Sequence, residues 1–256
     1  MTTFDRQIES QGWFLLPAAV PMPLVEWMRD DMTAARSMCH NIQRKNGISE
    51  GMEGTVHHLP ALGESWLEFL EKNPAAPYIE RFFGGKYVLN SFGGSANPAR
   101  SQSYAHAIHR DMRSFSGPLR LMFNTIVFLD DFTAENGATW LMNGGHTLEE
   151  RPSEEEFKRS AFQIIAPAGS IAMWNANLWH RGGNNCTDKQ RRSVTPIFAR
   201  PFMRPEFDYP RALGYENGGL YPPALRQVLG FNSRVPASLH EFYQPAIRRF
   251  YQPDQG

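Results

Sequence analysis

His109 and Asp111, separated by one residue, offer an imidazole nitrogen and a carboxylate oxygen to a single metal ion. In extended backbone successive side chains alternate faces, so positions two apart project together, while Arg110 between them points away. Two ligands do not hold a metal. Two histidines and one carboxylate on one face of a coordination sphere suit Fe(II) and leave positions open for chemistry. His-x-Asp alone is common by chance, so the chemistry depends on where a second histidine lies.

Five histidines are candidates. His106 is three positions back and out of phase on a strand; His40 follows a helical pattern; His240 lies in the C-terminal stretch. His146 sits in a glycine-rich turn, and His180 closes an apolar run before the turn at 182–185. The local order favours His180. The next strand pattern, 191–199, places Arg191, Ser193 and Thr195 on one polar face and Val194 and Phe198 on the other. The planar fork of an arginine donates two parallel hydrogen bonds to a carboxylate. An iron enzyme that activates O2 needs a source of two electrons, and an oxo-acid supplies them. His-x-Asp, His and Arg therefore make chemical sense as a set.

The elements that would position these residues fall into two textures. Up to about residue 85 the pattern is helical. A short helix over 4–10 ends at Gly12, and a buried strand follows at 13–16. Pro23 starts a helix over 22–38, in which Val25, Met28, Met32 and Ala35 recur at helical spacing. Two short helices fit 64–71 and 76–83, the second stopped by Gly84-Gly85. His57 and His58 are adjacent, cannot point together in regular structure, and read as loop.

From Lys86 short apolar runs are broken by Gly, Pro, Asn and Asp, the signature of a β-rich body. Strands are expected at 87–92, 119–130, 138–142, 162–165, 171–174 and 191–199, with a loop over 93–103. The 119–130 strand is apolar on both faces except for Asn124, whose amide needs an interior partner. The strands at 162–165 and 171–174 bracket a tight turn at Pro167-Ala168-Gly169, and Ser153 with Glu156 forms a capping box for a helix through Ser160. Helices are also expected at 223–229 and 238–250.

Composition bounds the function. The 256 residues carry 26 basic and 26 acidic side chains, which argues against a general polyanion binder such as a nucleic-acid protein. Apolar residues at 41% and aromatics at 12% support a sizeable core and exclude disorder. Cys39 and Cys186 are too few for a disulfide scaffold. The N-terminus lacks an apolar signal core and no apolar run approaches membrane-spanning length. A cytoplasmic protein in a reducing setting is expected, without membrane or nucleic-acid partners and with homo-oligomerisation left open.

HRD at 109–111, LDDFTAENGATW at 129–140, NGGH at 143–146, APAGSIAMWNANLWH at 166–180 and NNCTDKQRRS at 184–193 occur in an order that is informative as a whole. With GWFLLP at 12–17 they make the chain resemble the phytanoyl-CoA dioxygenase family of Fe(II)/2-oxoglutarate-dependent oxygenases, over about residues 5 to 230. The resemblance implies a mainly β fold with flanking helices, a double-stranded β-helix (a cupin-like jelly roll). It further implies one catalytic domain over 1–256, with a helical N-terminal region over 1–85, the jelly-roll core over 86–200 and a C-terminal extension over 201–256.

It gives His109, Asp111 and His180 as iron ligands, Arg191 as the partner of the distal carboxylate of 2-oxoglutarate, and Ser193 and Asn124 as further co-substrate contacts. Arg192 would face the other way. The implied cofactors are Fe(II), 2-oxoglutarate and O2. The implied reaction is hydroxylation of an unactivated C–H bond in a small metabolite or natural-product intermediate, releasing succinate and CO2. Asp111 is intact, whereas family members that halogenate have a small residue there. The family's Pro-Gly-Ser-His turn is Asn143-Gly144-Gly145-His146 here, and His146 is not expected to be a ligand. For the primary substrate, Trp66, Tyr104, Phe115 and Trp174 are candidate apolar contacts and Arg100, Arg113 and Arg120 candidate anion partners. A non-catalytic metal-binding jelly roll and a different metal-dependent cupin-like enzyme are the rival readings, and neither would form succinate.

Overall fold

The structure, a computed structural model, describes residues 1–48, 54–97 and 106–249. Two antiparallel sheets form a double-stranded β-helix. The larger has the order β1-β7-β4-β9-β3-β2, with β1 Trp13–Leu16, β2 Thr55–Val56, β3 Val88–Asn97, β4 Met122–Phe128, β7 Ile171–Asn175 and β9 Arg191–Ala199. The smaller has the order β6-β5-β8, with β5 Trp140–Met142, β6 Ala161–Gln163 and β8 His180–Arg181.

Alternation along the strands divides the core in two. On β4, Phe123 and Val127 join a cluster shared with the helices, whereas Ile126 and Phe128 join the cluster between the sheets. On β7 Ile171 and Met173 go to the helices and Ala172 and Trp174 inward. Strand β1 obeys the same rule with Phe14 and Leu16 against Trp13 and Leu15. Among the described residues it pairs only with β7, at the sheet edge, and is half-buried rather than the buried strand expected.

The outer face of the large sheet carries α1 (Thr3–Ser10), α2 (Met22–Lys45), α3 (Glu64–Glu71) and α4 (Ala76–Phe83). Thr2 and Asp5 form a capping box for α1. Val25, Met28, Met32 and Ala35 of α2 are buried as their spacing predicts, and each of the larger three contributes about 1.5–3 kcal/mol by burial. The helix runs past residue 38 because nothing breaks it before Asn46-Gly47, where Gly47 takes a positive φ. Gly94 lets α2 approach the sheet closely, since a Cβ there would lie 2.7 Å from Met32 Cε.

Other expectations are corrected. Strand β3 continues to Asn97, into the stretch expected as loop; 98–103 lie outside the described residues. Strand β4 is shorter than 119–130, and β5 shorter than 138–142. The segments flanking Pro167-Ala168-Gly169 are not paired as a hairpin: β6 pairs β5 and β7 pairs β1 and β4, so the turn crosses from one sheet to the other. After α5 (Glu154–Ser160, with its capping box as expected), α6 (Tyr209–Ala212) and α7 (Pro223–Val228), no continuous helix spans 238–249. There α8 (Leu239–Phe242) stops and one 3-10 turn (Ala246–Arg248) follows, because Pro245 disfavours helix at the residue before it. No helix among the described residues is long and apolar enough to cross a membrane. Both cysteines are free.

Candidate metal and co-substrate site

His109 and His180 face each other across an isolated antiparallel bridge, each donating its backbone N–H to the other's carbonyl at 2.9 Å. Asp111 lies in a bend two residues on. The regular strand expected around the His-x-Asp is thus reduced to one bridge and a bend, yet the side chains converge: one ligand atom from each of His109, Asp111 and His180 lies within 4.8 Å of the others. His109 Nε2 is 3.7 Å from Asp111 Oδ1, and His180 Nε2 is 3.4 Å from Asp111 Oδ2.

The remaining ring nitrogens are anchored on backbone. His109 Nδ1 is 2.8 Å from the Ala107 carbonyl, and His180 Nδ1 is 2.9 Å from that of Leu178. Carbonyls only accept, so each Nδ1 is the protonated nitrogen and each Nε2 is left free to ligate an ion shared with the carboxylate. Burial pushes the His180 imidazole down to about 4, against the pull of Asp111, so it is neutral and able to ligate. Asn124 Nδ2 donates to Asp111 Oδ2, which orients the carboxylate. Asn124 therefore meets a ligand of the candidate metal site; its own Oδ1 is buried without a partner among the described residues.

Strand registers build the wall of the cavity in front of this cluster, which has a volume of about 420 Å³. Trp174, Asn124, Ile197 and Ser91 form one row across β7, β4, β9 and β3. Thr195 and Gly93 stand side by side in the next, followed by Phe128, Ser193, Ser95 and Thr55, and then Arg191 opposite Asn97. A bulge at Asn90 sets the phase on β3: Leu89 pairs with Phe198, but Ser91, not Asn90, meets Ile197. The extra residue turns Ser91, Gly93 and Ser95 toward the cavity while Leu89 and Phe92 stay in the outer core.

Arg191 is 5% exposed, with its guanidinium 4.0 Å above the centre of the Phe132 ring. Its Nε and Nη1 have no hydrogen-bond partner among the described residues. Burial pushes it down to about 10, with Asp130 opposing. Asp130 is engaged elsewhere: Arg192, pointing the other way as expected, donates Nε and Nη2 to its two oxygens at 2.9 and 2.8 Å. Arg29 Nη2 adds an ion pair at 3.5 Å. A buried cation with orphaned donors on a cavity wall fits an anionic ligand. The donor set of two imidazoles and one carboxylate likewise fits a divalent transition metal.

His146 is not part of this cluster; it is buried against Gly12, where a Cβ would lie 2.4 Å from its Nδ1. Of the proposed substrate contacts, Trp174 and Arg113 line the cavity. Trp66 is in the outer core, Phe115 and Trp179 hold Arg110 by cation–π contact, and Arg120 donates to the Phe82 carbonyl. Arg100 and Tyr104 lie outside the described residues. Sequence reasoning misses His57, which lines the cavity, and His58, whose φ of +57° is rare outside glycine. An adjacent pair reads as loop because two neighbouring side chains cannot converge; only the chain folding back beside β3 places His57 at the mouth.

A double-stranded β-helix with this cluster in its mouth is a jelly roll with a candidate metal site. The chain belongs to the phytanoyl-CoA dioxygenase family, whose model matches residues 9–193. It is 34% identical over 239 residues to the uncharacterized protein Rv1501 of Mycobacterium tuberculosis, covering 88% of this chain and 87% of that one. It is 35% identical over 251 residues to dioxygenase olcK of Penicillium canescens, covering 88% and 79%. Dioxygenase af480 of Aspergillus fumigatus is 27% identical over 248 residues, covering 91% and 77%. The crystal structure of AviO1 from Streptomyces viridochromogenes superposes with a TM-score of 0.61 at 18% identity, covering 80% of this chain and 99% of that one, a likeness of fold. The protein is an oxygenase.

Proposed function

We propose that the protein is an Fe(II)/2-oxoglutarate-dependent dioxygenase that hydroxylates an unactivated C–H bond of a small metabolite or natural-product intermediate. His109, Asp111 and His180 would hold the iron. Arg191 would anchor the far carboxylate of 2-oxoglutarate, with Ser193 on the same face and Asn124 at the metal end. The observation that carries the reading is the buried Arg191 guanidinium, its Nε and Nη1 without a partner among the described residues, on the wall of the cavity that holds the triad. Neither a bare metal-binding module nor a metal hydrolase needs such a group.

When bound, iron with 2-oxoglutarate and O2 supplies the oxidising power, releasing succinate and CO2. The chain's own contribution is geometric and electrostatic. The Ala107 and Leu178 carbonyls hold both imidazoles in the ligating tautomer, and the Asn124 amide steadies Asp111. Trp174 and Ile126 help exclude water from the cavity wall. Residues 1–256 would act as a single catalytic domain. The test is anaerobic addition of Fe(II) and then 2-oxoglutarate. A weak visible charge-transfer band that forms only with both is expected, with succinate following on exposure to O2; no band and no succinate would refute the assignment.

A further inference from the structure

The co-substrate groups proposed above occupy β4 and β9, which leaves the β2–β3 flank of the same cavity unassigned. Three of its side chains come from β3 and the turn after β2: Ser91 opposite Ile197, Ser95 opposite Ser193, and His57 packed beside Gly93. Neither serine hydroxyl, nor that of Thr195 beside them, has a hydrogen-bond partner among the described residues. Gly93 lies between the two serines, and its missing side chain leaves the wall open there. A Cβ on Gly93 would stand 3.3 Å from Thr195 Oγ1 and 4.0 Å from His57 Cδ2.

His57 is held in place by its neighbour. His58 takes a left-handed backbone, and a positive φ in a residue other than glycine persists only where surrounding structure enforces it. The enforcement is visible: the His58 ring stacks on Phe207 at 4.4 Å between centroids, and its Nδ1 is 3.3 Å from the Tyr209 hydroxyl. The segment that locks His58 also brings Glu206 to the cavity rim near His57. The loop thus spends conformational strain to aim one imidazole into the cavity.

Given the dioxygenase reading, on which this rests, we infer that the β2–β3 flank binds the primary substrate and that the substrate is polyhydroxylated. Free hydroxyls on Ser91, Ser95 and Thr195 can each donate and accept; the His57 imidazole can do both, and Glu206 accepts. A ligand bearing several hydroxyls complements every one of these groups, whereas a hydrocarbon chain would strand them. His57 is the specificity-determining residue, because it is exposed and makes no hydrogen bond of its own to the described protein. Burial on one side holds its pKa below the ordinary value, which favours the neutral ring that both donates and accepts.

The experiment uses the full chain loaded anaerobically with Fe(II) and 2-oxoglutarate, with formation of the visible band checked first. Methyl β-D-glucopyranoside and cyclohexylmethanol, rings with several hydroxyls and with one, are then titrated at millimolar concentration and followed by ligand-observed NMR. Saturable binding of the glucoside in preference to cyclohexylmethanol is expected. Weakening of about three- to tenfold in His57→Ala and in Ser91→Ala is expected, the loss of one neutral hydrogen bond each. His57→Gln should recover some of it. Glucoside binding that is absent, weaker than that of cyclohexylmethanol, or indifferent to both alanine variants would overturn the inference. Failure of the band to form would instead count against the dioxygenase reading beneath it.

Discussion

Replacing Arg191 with methionine removes a charge that the apo-protein holds at a loss, so it has opposite effects on stability and on co-substrate binding. Burial lowers the Arg191 pKa to about 10, which corresponds to about 3 kcal/mol disfavouring the buried cation. The Phe132 ring beneath it returns about 0.5–2 kcal/mol. Without 2-oxoglutarate, Arg191→Met should therefore be more stable than the wild type by about 1–3 kcal/mol, as when other buried ions give way to apolar groups of similar size. Binding of 2-oxoglutarate should suffer by about 2–5 kcal/mol, or about 30- to 5000-fold, because the far carboxylate would be buried without its partner. Urea unfolding of the apo-protein measures the first effect, and anaerobic titration of 2-oxoglutarate into the iron-loaded variant measures the second. A merely structural arginine would lower stability on removal and leave the titration unchanged. Unaltered 2-oxoglutarate affinity, or a destabilised apo-protein, would refute the reasoning.

His109→Ala, Asp111→Ala and His180→Ala should each abolish succinate formation and stoichiometric iron, measured by metal analysis after reconstitution, whereas His146→Ala should keep its iron. Asn124→Ala should weaken iron by about 10- to 100-fold through loss of the hydrogen bond that orients Asp111; competition with a chelator would read it, and unchanged affinity would confine Asn124 to the co-substrate. Stability should decline on acidification. His57, His58 and His146 have pKa values held below 6.5 by burial, so the unfolded chain binds protons more readily. Their contribution is fully present above about pH 6.5 and is lost as the pH falls below it. Urea midpoints compared between about pH 7 and pH 5 should fall, and His146→Gln should flatten the slope.

Much of this is legible in the sequence because local chemistry and tertiary structure agree. The α2 face of Val25, Met28, Met32 and Ala35, the capping box at Ser153 and Glu156, and the polar face of 191–195 each depend on a period or a cap that neighbouring residues supply. What cannot be read is long-range. The partner of His109 is a bridge to His180, and sequence order alone leaves five histidines open. Asn124 is expected at the co-substrate, but its donor meets Asp111, a contact set by how the 109–111 segment crosses β4. His57 is invisible for the same reason. Its position depends on β2 pairing with β3 and on Phe207 and Tyr209, far along the chain.

The reciprocal backbone hydrogen bonds between His109 and His180 have a consequence for how such a protein can diversify. The spacing of the two imidazoles is set by a rung of main chain, which is indifferent to side-chain identity. Residues 112–179 leave one end of that rung and return to the other, so they form a closed excursion. Insertions or exchanges in its turns, away from Asn124 and the Leu178 carbonyl that hold Asp111 and the His180 ring, alter the cavity wall without moving the rung. Substrate preference and the geometry of the proposed metal site are thereby separable traits, and a library varied over the turns of 112–179, with Asn124 and Leu178 kept, should change substrate recognition well before iron affinity.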